Sequence, residues 1–174
     1  FASKGQTNTW IGTSSTSWQA PANWDLGRVP VDADFIVISN GCPFYPVMDI
    51  TKQFVGLTVM SGAAMSLGGY DLTVTGRVTV AGTLTATGTE TVYCLGDVDL
   101  TGGAIAEASS TLMVGGSGAQ ALTCDGEGLY RIRITNTTGN VVFTDGFSVT
   151  NLLNEGGSVT FSNAISVTSL NQEG

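Results

Sequence analysis

Short runs of alternating apolar and polar residues, each ended by a glycine, dominate the chain from about residue 51 onward. The clearest are three consecutive hexads, 71–76, 77–82 and 83–88, of the form x-apolar-Thr-apolar-x-Gly. In an extended strand the second and fourth side chains of such a hexad lie on one face and the threonine on the other. The pattern predicts short strands that bury one face, with a glycine where the chain turns.

The same pattern recurs less strictly elsewhere, which indicates a repeat architecture. Looser copies occur at 56–62, 97–102, 111–115, 140–146 and 158–162. In a solenoid each unit buries its apolar face only by stacking on its neighbours. Apolar residues do not follow the helical spacing for three turns anywhere in the chain. The sequence therefore predicts an all-β repeat fold.

Two all-β architectures fit these strands. The dipeptides at 40–41, 125–126 and 145–146 are typical of two-residue hairpins and favour an antiparallel β-sandwich. However, the single glycines at Gly76 and Gly82 leave no room for a hairpin loop between the strands that they separate. We therefore predict a right-handed parallel β-helix with coils of roughly 18–24 residues, and we keep the antiparallel β-sandwich as the alternative.

Composition divides the chain near residue 50. Residues 1–50 contain all three tryptophans and all four prolines, and proline is confined to the edges and turns of sheets. We predict an N-terminal capping segment over 1–50 and a β-solenoid array over 51–174. Because the chain starts at Phe1 without a methionine and stops after a strand-like run, we expect it to be part of a longer protein.

Charge and histidine content narrow the function. The chain has 14 acidic and 6 basic residues, a net charge of −8 and no histidine. Without histidine there is no imidazole base, no His-ligated zinc and no Ser-His-Asp triad. The negative charge repels nucleic acids and anionic membranes, and no apolar run approaches the length of a membrane helix. We therefore expect no cofactor, no nucleic-acid partner and no membrane insertion.

The three cysteines leave several pairings open. Cys42, Cys94 and Cys124 form no CxxC motif, so their spacing does not indicate a zinc site. One interpretation is that all three are small, buried side chains with free thiols. A disulfide between Cys94 and Cys124 is a second, because neighbouring coils would stack. A bridge to another molecule is the third.

The tryptophans are the first candidate functional residues. Trp10, Trp18 and Trp24 lie close together in the sequence, among polar neighbours. Aromatic faces can stack on sugar rings or on another subunit, which would make this segment a glycan or subunit contact. The structural interpretation, which we favour, is that the indoles plug the end of the solenoid, where the terminal coil must hide its apolar core.

Pairs of like-charged residues two positions apart are the second candidates. They are Asp32 and Asp34, Asp97 and Asp99, and Arg131 and Arg133. Paired carboxylates can bind Ca²⁺ or cleave glycans, and a β-helix polysaccharide lyase requires a basic residue in the same groove. A solvated strand face produces the same spacing, and this is the interpretation that we favour.

A series of motifs runs through nearly the whole chain in a fixed order. The N-terminal motifs are Thr9-Trp10-Ile11-Gly12, Trp18, Ala22-Asn23-Trp24, Val29-Pro30, Asp34 with 36–38, and Tyr45-Pro46-Val47; the later ones are 57–63, 72–76, 129–138 and 141–150. Together they resemble a module common in large secreted and surface proteins of Bacteroidetes and related bacteria. The resemblance implies an extracellular β-solenoid of the adhesin or filamentous-haemagglutinin type, used as a stalk, fibre or surface scaffold. The three cysteines depart from the pattern of this family.

We therefore expect a non-enzymatic, extracellular structural or adhesive domain of a bacterial surface or filament-forming protein. Because an open terminal coil offers unpaired backbone groups, the expected partners are copies of the chain or neighbouring domains, with head-to-tail assembly as one mode. A cell-surface glycan is a further expected partner. The alternatives are a carbohydrate-binding module and a β-helix polysaccharide lyase or hydrolase.

Overall fold

The structure, a computed structural model, describes residues 5–106 and 108–172. These residues form short β-strands and one 3-10 turn at Pro21–Asn23. In chain order the strands are β1 (Thr7–Trp10), β2 (Phe35–Ile38), β3 (Lys52–Phe54), β4 (Gly56–Val59), β5 (Ala64–Ser66), β6 (Leu72–Val74), β7 (Val78–Val80), β8 (Thr83–Thr85), β9 (Thr91–Cys94), β10 (Val98–Asp99), β11 (Ala104–Ala106), β12 (Thr111–Val114), β13 (Gln120–Thr123), β14 (Gly128–Ile134), β15 (Asn140–Phe143), β16 (Ser148–Asn154), β17 (Ser158–Phe161) and β18 (Ser166–Gln172).

The strands form three sheets, and every ladder between these strands is parallel. The first sheet has the order β1-β2-β4-β7-β10-β13-β15-β17, the second β5-β8-β11, and the third β3-β6-β9-β12-β14-β16-β18. Each strand therefore pairs with one that comes a full turn later in the chain. The fold is a β-solenoid of about seven turns, and the antiparallel sandwich is not supported.

The three hexads at 71–88 show how the repeat makes one turn. Their strands β6, β7 and β8 belong to the third, first and second sheets. The apolar residues Leu72, Val78 and Leu84 are at most 1% exposed, while the threonine of each hexad lies half-buried on the outer face. The prediction that each hexad is a half-buried strand followed by a turn is confirmed.

The core is a set of aligned rows that run from coil to coil. In the third sheet the register stacks Leu72, Val92, Leu112, Ile132 and Leu152, which are at most 3% exposed. Burying one such side chain contributes about 1.5–3 kcal/mol. Because the neighbours in each row come from adjacent coils, this energy holds the coils together.

Coil length falls within the range expected from the sequence over most of the stack. One of the longer coils runs from Val98 to its partner Leu122. One of the shorter coils runs from Phe143 to its partner Phe161. The coil that starts at β1 and returns at β2 exceeds the predicted range, because it contains the tryptophan-rich cap. With a rise of about 4.8 Å per coil, seven coils form a rod roughly 34 Å long.

The Asp-Gly dipeptides form corners and not hairpins. Asp125 and Gly126 have φ values of 53° and 79°, which is the backbone sign that a two-residue hairpin turn requires. However, the flanking strands β13 and β14 lie in different sheets. The Asp125 carboxylate accepts a hydrogen bond from the N–H of Gly102, one coil earlier, at 2.8 Å. The hairpin interpretation was wrong because the same local turn also redirects a strand from one sheet to the next.

Close contact between coils requires glycine at particular corners, and Gly139 is one of them. A Cβ atom at Gly139 would lie 1.9 Å from the carbonyl oxygen of Gly118 in the preceding coil, whereas a Cβ at Gly118 would meet nothing within 4 Å. We expect Gly139→Ala to lower the free energy of unfolding by about 2–3 kcal/mol because the two coils must separate. Gly118→Ala should change it by less than about 0.5 kcal/mol. Urea denaturation followed by circular dichroism measures both, and equal effects would contradict the close contact.

Candidate functional site

The three tryptophans converge at the N-terminal end of the solenoid. Trp24 lies edge-on to both of the others, with ring centroids 5.0 Å from Trp10 and 4.7 Å from Trp18. Trp18 also contacts Phe54 of β3 at 5.5 Å. All three indoles are at most 1% exposed. They therefore present no free face to a glycan or to a second subunit.

The backbone edge of β1 at this end is paired with the segment 23–25. The N–H of Asp25 donates to the carbonyl of Thr9 at 2.9 Å, and the N–H of Thr9 donates to the Asp25 carboxylate at 2.7 Å. The N–H of Ile11 donates to the carbonyl of Asn23 at 2.8 Å. Because β1 and β2 are part of the first sheet, residues 1–50 supply both the cap and the first strands of the stack. This geometry disfavours head-to-tail stacking on β1.

An ion pair with a fully buried carboxylate fixes the loop that leads into β2. The guanidinium of Arg28 donates to both carboxylate oxygens of Asp34, at 2.6 and 2.9 Å, and the Asp34 side chain is fully buried. Burial opposes the charge of Asp34, but the hydrogen bonds from Arg28 and from the N–H of Val31 outweigh it, so the pKa of Asp34 is lowered. Asp32 is exposed. The two aspartates do not share a strand face, because both precede β2.

The carboxylate and arginine pairs that a lyase would require lie on different sheets. Asp97 and Asp99 lie at β10 in the first sheet, whereas Arg131 and Arg133 lie on β14 in the third. Asp99 instead forms an ion pair with Arg77 at 2.6 Å. The residues proposed for a lyase site are therefore not brought into one groove.

Several aspartates link one coil to the next through backbone N–H groups. They are Asp71, which accepts from Thr91 at 2.7 Å, Asp97, which accepts from Ala121 at 2.9 Å, and Asp145, which accepts from Cys124 at 2.7 Å. Hydrogen bonds to an ionised acceptor are stronger than neutral ones. Within residues 5–106 and 108–172, no group of three His, Cys, Asp or Glu side chains is placed to hold a metal ion. Asp97, which sequence analysis considered as a calcium ligand, acts here as a link between coils.

Glu90 is a buried carboxylate that sequence analysis did not single out. It is 3% exposed and accepts hydrogen bonds from the N–H and hydroxyl of Thr87 at 2.8 and 3.0 Å, from the N–H of Gly88 at 2.6 Å and from the N–H of Gly69 at 3.0 Å. Burial opposes the charge, but the hydrogen bonds from Thr87, Gly88 and the backbone of Glu90 outweigh it and lower the pKa of Glu90 to about 2. The available signal was the Thr-x-x-Glu spacing of a capping box, here outside any helix.

A shallow groove on the outer face of the third sheet contains two arginines. It has a volume of about 450 Å³, and its lining residues are Thr89, Thr91, Thr111, Met113, Arg131, Arg133, Asn151, Leu152, Leu153 and Asn171. Arg133 forms an ion pair with Glu155 at 2.7 Å. Arg131 makes no ion pair with the described residues, and its guanidinium lies 5.6 Å from the centre of the Tyr130 ring. Hydroxyl, amide and guanidinium groups of this kind can hydrogen-bond a sugar.

The three cysteines are free thiols. The Cys94–Cys124 disulfide considered from the sequence is not formed. Cys94 ends β9 in the third sheet, whereas Cys124 follows β13 in the first, and both are fully buried in the core. Burial raises the pKa of both thiols to about 12, which makes them poor nucleophiles. Their side chains act as small apolar core residues.

The part of the chain that the structure describes has no helix long and apolar enough to cross a membrane. Comparisons with protein-family models, with curated proteins and with solved structures found no match. The structure supports the β-solenoid architecture that the motifs predicted, and no comparison links the chain to the bacterial surface modules that they resemble.

Proposed function

We propose that this chain is a non-enzymatic structural module of a bacterial surface or filament-forming protein, located outside the cell. Its work is mechanical: it serves as a stiff spacer or scaffold. The observation that carries this proposal is the first sheet, which runs without interruption through eight parallel strands from β1 to β17. A rod with one continuous core transmits force along its axis and keeps its two ends at a fixed separation.

The use of polar side chains supports a structural role. At Asp34, Glu90 and Asp145, both oxygens of a buried or half-buried carboxylate accept hydrogen bonds, each from at least one backbone N–H. Catalytic carboxylates instead keep a free oxygen directed at the substrate. The extracellular location rests on the resemblance to surface modules of bacteria.

A carbohydrate-binding module is the second candidate function, and the groove around Arg131 favours it. An exposed guanidinium beside an aromatic ring can hydrogen-bond a sugar hydroxyl or pair with a uronate carboxylate. Binding of this kind would make the module adhesive. The tryptophans take no part in this candidate, because they are buried.

A panel of neutral and anionic polysaccharides tests both candidates. For a structural module we expect no retardation in affinity electrophoresis, and neither reducing ends nor unsaturated products on incubation. If a polysaccharide retards the wild type and Arg131→Ala weakens this binding at least about tenfold, the result would favour the carbohydrate-binding module. Met60→Ala, which changes an apolar side chain that is 47% exposed and lies outside the groove, is the matched control. Product formation by the wild type and its loss in an Asp99→Asn variant would overturn the non-enzymatic proposal.

A further inference from the structure

Three dipeptides that end in glycine lie between consecutive strands, at 40–41, 125–126 and 145–146. Their first side chains are held differently. Both carboxylate oxygens of Asp145 accept backbone N–H groups from the preceding coil, and the Asp125 carboxylate accepts another. The Asn40 side chain accepts one hydrogen bond, from the Tyr45 hydroxyl at 3.3 Å, and its amide nitrogen donates to none of the described residues. Asn40 is therefore the least restrained of the three.

The turn that contains Asn40 brings two reactive groups together in contact with water. Asn40 and Gly41 are both exposed and follow β2. Gly41 has a φ of 76°, and it has no Cβ to shield its own backbone nitrogen. Its N–H donates to the Tyr45 hydroxyl at 3.2 Å, the same hydroxyl that contacts the side-chain oxygen of Asn40. The nitrogen of Gly41 and the side-chain carbonyl of Asn40 thus lie around one hydroxyl group.

Among the asparagines of the chain, only Asn40 is followed by glycine. A side chain on the following residue would crowd the backbone nitrogen. Other asparagines, such as Asn8, Asn23 and Asn136, are fully buried and away from water. Sequence and exposure therefore both point to Asn40 as the asparagine whose side chain can react with the next backbone nitrogen.

We propose that Asn40 is a site of spontaneous deamidation. The backbone nitrogen of Gly41 loses its proton to solvent base and attacks Cγ of Asn40. The new N–Cγ bond closes a succinimide ring, and the Cγ–Nδ2 bond breaks to release ammonia, which takes up a proton. Water then opens the ring at either carbonyl and leaves aspartate or isoaspartate at residue 40. The reaction needs only the folded chain and water, so it does not depend on the structural role proposed above.

The product changes the contact between the cap and the next coil. The Asn40 side chain lies against Gly62, where a Cβ would be 2.8 Å from Nδ2, and Tyr45 donates to the carbonyl of Gly62 at 2.9 Å. Deamidation places a negative charge near that carbonyl oxygen, and the two repel each other. Isoaspartate also adds a methylene to the main chain ahead of Cys42, whose thiol donates to the carbonyl of Trp10 at 3.4 Å. We expect the cap to loosen as the protein ages.

Incubation of the folded 174-residue chain over several weeks, followed by peptide mapping with mass spectrometry, tests the proposal. We expect residue 40 to gain the mass difference between an amide and a carboxyl group. Enzymatic methylation of the isoaspartyl carboxyl should label the same peptide. Because the attacking nitrogen must lose a proton, the rate should rise about tenfold per pH unit above neutrality. The unfolding midpoint, followed by tryptophan fluorescence, should fall as conversion proceeds.

Asn40→Gln is the matched control, because it keeps an uncharged amide but places it one methylene further from the nitrogen of Gly41. Residue 40 of this variant should stay unmodified, and its unfolding midpoint should not change during the incubation. The wild type kept unfolded in guanidinium chloride gives the rate of the unrestrained sequence. If the unfolded chain is converted while Asn40 stays intact in the folded chain, the turn is too rigid to react and the proposal is wrong. Isoaspartate formed equally at Asp125 or Asp145 would contradict the selection of Asn40 by the fold.

Discussion

Replacing Trp18 by alanine should lower the free energy of unfolding by about 3–5 kcal/mol, the largest effect that we expect from a single apolar side chain in this protein. Trp18 is fully buried, lies 4.7 Å from Trp24 and contacts Phe54 of the first strand of the third sheet. Its removal leaves a cavity at the point where the cap meets the coils. Urea denaturation followed by circular dichroism and by the fluorescence of the two remaining tryptophans measures the loss.

The matched control is Phe44→Ala in the same segment. Phe44 is 44% exposed, and it holds Trp10 through its backbone carbonyl, which the substitution keeps. The change should cost less than about 1 kcal/mol. If Trp18→Ala were as mild as Phe44→Ala, the indole would not be a plug of the core. If Trp18→Ala abolished binding to a glycan without lowering the free energy of unfolding, the tryptophans would be a glycan contact after all.

The fold was predictable because its repeat is local. Each hexad at 71–88 specifies a strand by its alternation and a corner by its glycine, and a single glycine between strands is too short for a hairpin. Those two facts are enough to favour stacked parallel coils. The Asp-Gly turns favoured hairpins, and this prediction was wrong. Asp125 and Gly126 adopt the backbone expected of a hairpin turn, but the strands on either side of them pair with other coils.

The roles of individual polar residues were less predictable. Asp97 and Arg131 each lie at a strand with the right alternation, but the sequence does not show which sheet a strand joins, and these strands joined different ones. In the sequence, nothing distinguishes Glu90 from an exposed acidic residue. Its four hydrogen-bond donors come from two coils, and they converge only when those coils stack. Contacts between coils depend on the length of each coil. The coil that links β10 to β13 is longer than the coil that links β15 to β17.

The end of the stack could be foreseen only in part. The cluster of tryptophans and prolines in 1–50 indicated a cap, and Trp10, Trp18 and Trp24 are indeed inside the molecule. What the pattern did not show is that 23–25 folds back on β1 and pairs with its edge. That pairing is antiparallel and between neighbouring segments, so it lies outside the repeat from which the rest was inferred. It disfavours growth of a head-to-tail fibre through the edge of β1.

Protonating or neutralising Glu90 should destabilise the protein by about 3 kcal/mol. The pKa of Glu90 is about 2 in the folded chain, below its value of about 4.3 in an unfolded chain. A carboxylate with a depressed pKa contributes stability that is fully present above the unfolded pKa and is lost as the pH falls through the folded one. We therefore expect unfolding free energy to fall between about pH 4.5 and pH 2, at roughly 1.4 kcal/mol per unit.

Glu90→Gln separates this contribution from the other carboxylates. At pH 7 the free energy of unfolding of the variant should be about 3 kcal/mol lower than that of the wild type. The amide offers one acceptor oxygen to four donors and adds two N–H donors of its own. Its stability should then depend less on pH than that of the wild type in the acid range. Glu127→Gln is the control: none of the side-chain hydrogen bonds or ion pairs among the described residues involves its carboxylate, so its stability at pH 7 should match the wild type. Parallel acid slopes in the wild type and Glu90→Gln would mean that the link between coils at Gly69 and Thr87 does not depend on the charge of Glu90, and that other acids set the acid limit of the fold.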